Sequence, residues 1–67
     1  MTSDQFEQWL ADMRSAGLIR FKYEAADILG KSSEMLRLYQ REGTREVQTD
    51  YACAAILAGL KPYGAAQ

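Results

Sequence analysis

The sequence predicts an all-α domain of four short helices. Two observations carry that expectation. Apolar residues recur at helical spacing in successive segments, and the segments are punctuated by glycines that can stop a helix and hydroxyl residues that can cap one. Length adds a third constraint. A chain of 67 residues is a single domain, 1–67, and a domain this size buries only about 60% of the surface its unfolded form exposes. So thin a margin makes pairing of two copies a natural expectation. The composition, 48% hydrophobic and 25% charged, is that of a globular chain and not of a disordered one.

The first helix is expected over Ser3–Ala16. Thr2 and Gln5 stand at capping-box spacing, and Phe6, Trp9, Leu10 and Met13 follow at i, i+3, i+4 and i+7, which makes a core-facing stripe. Gly17 is the stop. Leu18 and Ile19 are expected to pack as the chain turns. The second helix, Phe21–Leu29, brings Ala25, Ala26, Ile28 and Leu29 as its apolar set but has no evident N-cap. Gly30 can take the left-handed conformation that ends a helix, and Ser32 can cap the next one. A continuous helix would waste both signals and cost about 1 kcal/mol for its central glycine. The third helix therefore runs Ser33–Glu42, with Met35, Leu36 and Tyr39 on one face and Gly43 at its end. After the polar connector "GTREVQ", in which Val47 is expected to tuck inward, Thr49 is the expected cap of a fourth helix, "DYACAAILA". Tyr51, Ala55, Ile56 and Ala52 form its expected buried face. Gly59 ends it, Leu60 is placed for the contact that often follows, and Pro62 prevents resumption. The tail "YGAAQ" is expected to fray, with Tyr63 able to fold back.

Much chemistry is excluded by residue type. There is no histidine and one cysteine, Cys53, in the alanine-rich run "YACAAILAGL". A single cysteine makes no internal disulfide and reads here as a small buried apolar residue. Without histidine, neither a Cys/His nor a Ser/His/Asp nucleophile has its base, and a metal lacks ligands. We therefore expect no enzymatic activity, no cofactor, no metal and no small-molecule ligand. No apolar run approaches the ~20 residues of a membrane span, and "MTSDQFEQWLADM" is unlike a signal peptide. These features predict a cytoplasmic protein without membrane partners.

Formal net charge is -1, but it is unevenly spread. From Arg20 to Arg45 there are six basic and four acidic residues (6 − 4 = +2), and the rest of the chain has two basic and five acidic (2 − 5 = −3). Local sign matters more than the total for a contact face. A helix, a tight glycine turn and a second helix over about residues 21–42 is also the arrangement of a DNA-binding helix-turn-helix. Such a unit needs a small residue where the helices cross, here Ala26, and apolar residues facing back, here Leu36 and Tyr39.

At these residues the chain resembles the Cro/repressor family, the phage lambda repressor-like helix-turn-helix domains. The family pattern reads Ala-Ala-x-x-Leu-Gly-x-Ser, then three residues, then an apolar and an aromatic or aliphatic anchor, and "AADILGKSSEMLRLY" follows it. "YACAAILAGLKPY" is similar to the C-terminal helix of small phage-type members, so the resemblance spans Phe6 to Tyr63. There are departures. Lys31 stands where an apolar residue is common, Lys22 where Gln is common, and Tyr39 where Trp or Ile is frequent. Most small members carry a fifth helix, for which the tail here is short.

The resemblance implies a cytoplasmic, phage- or prophage-type transcription regulator. It would be a repressor acting as a homodimer on double-stranded DNA, with helix 3 in the major groove. The implied contacts are Ser32, Ser33, Glu34, Arg37, Leu38 and Arg41. Arg37 could bond guanine O6 and N7 or be an ordinary exposed arginine. Glu34 could accept from cytosine N4 or pair with Arg37 at i, i+3. Ser32 is foremost the cap. Leu38 could meet a thymine methyl group or a partner. Lys22, Lys31, Arg41 and Arg45 are candidates for phosphate. Leu60, Tyr63 and the outer face of helix 4 are candidate dimer contacts, unless they close the monomer core. The alternative reading is a helical protein-interaction module, antitoxin-like or a polymerase-binding adaptor, that has lost DNA binding. The acidic total, Glu34 and Leu38 favour it.

Overall fold

The computed structural model describes residues 1–64. Four helices follow one another: α1 (Ser3–Ser15), α2 (Lys22–Leu29), α3 (Ser33–Glu42) and α4 (Val47–Leu57). No strand or further helix occurs among the described residues. Packing is a ring of neighbours, with α1 and α2 each set against both α3 and α4.

α1 begins as the capping box dictates. The Gln5 N–H donates to Thr2 Oγ1 (3.1 Å), and the Thr2 N–H donates to Gln5 Oε1 (2.9 Å). Its stripe is the heart of the core: Phe6, Trp9, Leu10 and Met13 are buried, joined by Ile19, Ala25, Ala26, Leu36, Tyr39 and Cys53. The Phe6 ring lies 5.4 Å from the rings of both Trp9 and Tyr39. Burying each such side chain contributes about 1.5–3 kcal/mol, which is how so short a chain holds together.

The α2 start, for which the sequence offers no hydroxyl cap, is made by Glu24 instead. Its Oε1 accepts from the backbone N–H groups of Arg20 (2.9 Å) and Phe21 (2.8 Å). These bonds hold the Glu24 carboxyl below its usual pKa. Phe21 is therefore the cap and not the first helical residue.

Several expectations are corrected. Leu18 and Ile28 are exposed, whereas Ile19, Ala25 and Ala26 take the buried positions and Leu29 is half-buried. α4 starts at Val47, with Glu46 as cap, so Thr49 is a buried residue of its first turn and not its cap. Val47 is 57% exposed and Tyr51 73% exposed, against the expectation that both face inward. The buried side of α4 is Thr49 and Cys53. α1 packs on this side of α4: Trp9 Nε1–H donates to the Cys53 carbonyl oxygen (2.9 Å), and the Cys53 side chain is buried in the core. Gly59 ends α4 as expected, with the Leu60 N–H reaching back to Ala55 O (2.9 Å). Yet Leu60 is 65% exposed and Tyr63 wholly so. The rest of the expected tail, beyond Gly64, lies outside the described residues.

The α3–α4 connector is fastened to the start of the chain. The Thr44 N–H donates to Met1 O (2.9 Å), and the Met1 ammonium donates to Thr44 Oγ1 (2.7 Å) and Asp50 Oδ2 (3.0 Å). Thr44 Oγ1 also donates to Asp50 Oδ1. That hydroxyl, and after it the Met1 ammonium, hold the Asp50 carboxyl below its ordinary range against the effect of burial. Gly43 makes the close approach possible, because a Cβ there would meet the backbone of Met1, Thr2 and Ser3.

Candidate nucleic-acid interface

The link between α2 and α3 is three residues long: Gly30, Lys31 and Ser32. Gly30 is left-handed (φ 71°, ψ 30°). The Lys31 N–H donates to Ala26 O (2.9 Å), which closes α2, and Ser32 Oγ accepts from the Met35 N–H (3.2 Å), which opens α3. Stop and cap act as the sequence signals.

α3 is anchored by one side only. Leu36 and Tyr39 are buried, while Ser33, Glu34, Arg37 and Arg41 are exposed on the opposite side and Leu38 is half-buried. Ser32, Glu34, Met35, Arg37, Leu38 and Arg41 line one shallow depression of about 430 Å³. Five of the nine candidate residues are thus brought together. Met35, which the spacing assigns to the core stripe, is half-buried and joins them. Lys22, Lys31, Ser33 and Arg45 lie outside the depression.

The electrostatics of these side chains are less uniform than their charge count. Glu42, which the sequence reading passes over, binds two of the candidate cations. Its Oε2 accepts from Arg41 Nη2 (3.1 Å) and Nε (3.3 Å), and its Oε1 from Arg45 Nη2 (3.3 Å). The i, i+3 spacing of Glu42 and Arg45 was the available signal. Lys31 is half-buried in the turn, and its charge helps hold the Glu46 carboxyl below its usual pKa, behind that residue's own backbone N–H and the Arg45 N–H. Tyr39 Oη lies 3.4 Å from both Glu46 carboxylate oxygens, long for a hydrogen bond. The i, i+3 pair open to Glu34 and Arg37 is not made among the described residues. Arg37 is therefore the α3 cation without an ion pair among the described residues.

Among the described residues no group of three or more His, Cys, Asp or Glu could hold a metal, and no helix is long and apolar enough to cross a membrane. No family model, curated protein or solved structure matches the chain.

Proposed function

We propose that this chain is a sequence-specific DNA-binding transcriptional regulator of phage or prophage type. It acts as a repressor: a dimer on a palindromic operator blocks the polymerase, and α3 reads the major groove. Arg37 is the observation that carries this reading. It is exposed at the middle of the open side of α3, free of ion pairs among the described residues, and flanked by hydrogen-bonding Ser33 and Glu34. A planar, unpaired guanidinium on such a face suits bidentate bonding to guanine. Lys22, Lys31, Arg41 and Arg45 serve phosphate, which positions without specifying sequence.

The test is selection of sites from random duplexes. Four phosphate contacts per protomer, eight per dimer, give a slope of log K against log salt of roughly −7, and so a fall of about 10⁴ between about 50 and 200 mM. Arg37→Ala costs about 1–3 kcal/mol and relaxes preference at one position of each half-site. A second reading, the antitoxin-like or polymerase-binding interaction module, is favoured by the exposed stacked rings of Phe21 and Tyr23 (centroids 5.6 Å apart). Folded protein that enriches no sequence counts against DNA reading and favours that second reading instead.

A further inference from the structure

Arg20, Phe21, Lys22 and Tyr23 alternate cation and ring where the chain enters α2, and all four are exposed. The two rings are set against each other, with centroids 5.6 Å apart and planes within 5° of parallel, which is an offset stack. Residues i and i+2 of one helix do not face each other. Phe21 stands outside the helix, in extended conformation (φ −122°, ψ 146°), so the pair escapes that rule. Glu24 Oε1 holds the backbone on which Phe21 sits, by accepting from the Arg20 and Phe21 N–H groups (2.9 and 2.8 Å). The fold itself makes little use of the rings. Phe21 is 56% exposed and Tyr23 58%, and neither belongs to the core cluster.

Ring and charge together select the occupant. Neither Arg20 nor Lys22 belongs to an ion pair among the described residues. An apolar protein surface laid over the rings would strip water from both cations without supplying a counter-charge. An unpaired nucleotide brings a flat π-face and a phosphate in one unit. Stacking of bases on aromatic side chains, with cations tracking the backbone, is how single strands are held without regard to sequence. A duplex does not offer that face, because a base must leave its stack to present it. Of the nearby carboxylates, Glu24 is engaged by backbone donors. Asp27, exposed one turn beyond Tyr23, is the one that works against a phosphate.

We propose that Arg20–Tyr23 is a binding site for single-stranded nucleic acid, in which an unpaired base stacks on the Phe21–Tyr23 pair and Arg20 and Lys22 hold the flanking phosphates. The site is separate from the α3 residues of the DNA-reading proposal, with Lys22 alone common to both. Single-stranded DNA and RNA share the chemistry it recognises. So small a platform binds weakly and tolerates any base, since every base has a π-face.

The test is fluorescence anisotropy of labelled strands of about 12 nucleotides, titrated with the full chain to about 500 µM at low salt. Oligo-dU, oligo-rU and an abasic strand of equal length are the probes. Both uridine strands are expected to bind, and the abasic strand at least about fivefold more weakly. The ratio of dU to rU, which differ only in the 2′-hydroxyl, identifies the preferred sugar. Two phosphate contacts give a slope of log K against log salt of about −1.4 per protomer, and Lys22→Ala lowers its magnitude by about 0.7. Phe21→Leu with Tyr23→Leu keeps apolar side chains but removes the π-faces. This variant is expected to keep the wild-type circular dichroism and to bind about 5- to 100-fold more weakly. Folded protein that binds neither uridine strand overturns the proposal and leaves the rings to a protein partner. Equal binding of the abasic strand, or a leucine variant that binds like the wild type, overturns it as well. Duplex reading is scored separately on the same preparations, with Arg37→Ala expected to keep strand binding and lose duplex selection. Loss of strand binding with duplex selection intact sinks this site alone, and the converse sinks the DNA reading alone.

Discussion

Replacing Gly43 by alanine tests how the chain is closed. Gly43 sits at φ 84°, ψ −177°, a region that side-chain-bearing residues enter at a cost of about 1–3 kcal/mol. The added Cβ would lie 2.9 Å from both the Ser3 nitrogen and the Thr2 carbonyl carbon, and closer still to the Met1 carbonyl oxygen. All three are backbone atoms, so no side-chain rotation relieves the overlap. The first turn of α1 must move away. That movement sacrifices the Thr44 N–H bond to Met1 O and strains the Met1 ammonium bonds, each contributing about 1 kcal/mol net. A reduction in unfolded-state entropy returns about 0.4–1 kcal/mol. The net expectation is a loss of about 3 kcal/mol, or roughly 12–24 °C in Tm for a domain of this size.

Gly30→Ala is the control. It too is left-handed, at φ 71°, but an added Cβ meets no atom within 4 Å. Only the backbone term remains, about 1 kcal/mol. Urea unfolding of both variants, followed by circular dichroism, separates steric closure from backbone conformation. If Gly43→Ala is no less stable than Gly30→Ala, the fastening of α1 to the α3–α4 connector does not hold the fold, and the reasoning fails.

Trp9→Phe removes the donor to the Cys53 carbonyl and should cost about 1–2 kcal/mol by thermal unfolding. Asp50 has a folded pKa below its ordinary value near 3.8, with the Thr44 hydroxyl as the first cause. Its contribution is therefore fully present above the unfolded value and lost as pH falls through the lower folded one. Asp50→Asn should accordingly be less stable than the wild type at pH 7, with the difference shrinking below about pH 4. Burial, aided by the Asp50 carboxylate, pushes the Cys53 thiol up to about 11, so a thiol reagent at neutral pH should label the protein only as fast as it opens. Glu42→Gln frees Arg41 and Arg45 and should tighten DNA binding by up to about tenfold; the gain should vanish when both arginines are alanine.

The elements most legible in the sequence are those whose signals are local. The Thr2–Gln5 box, the Phe6–Met13 stripe, and the stop at Gly30 followed by the cap at Ser32 each satisfy backbone groups within a few residues, so spacing alone reveals them. The α3 boundaries follow for the same reason. α4 was less legible because apolar residues surround it and its periodicity names no preferred side. The contact made on the buried side, Trp9 Nε1 to Cys53 O, joins residues 44 positions apart, and nothing near Cys53 announces it. Thr49 misled in a related way. A threonine before an acidic residue reads as a cap, but α4 already begins at Val47, with Glu46 in the cap position and Thr49 buried in its first turn.

The candidate interface shows the same division between what spacing reveals and what geometry decides. Spacing shows which residues share the outer side of α3, but not which of its charges are available. Arg37 and Arg41 are four apart and equivalent by periodicity, yet Glu42 takes Arg41 and leaves Arg37 unpaired among the described residues. Exposed pairs of this kind are held by about 1 kcal/mol or less, so a phosphate can displace Glu42 from Arg41 and Arg45, whereas Arg37 has no such partner to surrender. On the proposed reading the two kinds of arginine do different work. Arg41 and Arg45 contribute an affinity discounted by Glu42 and sensitive to salt, and Arg37 contributes the discrimination between bases. A shift in the recovered sequence on Arg37→Ala, against a nearly uniform loss on Arg41→Ala, would separate those roles on one set of duplexes.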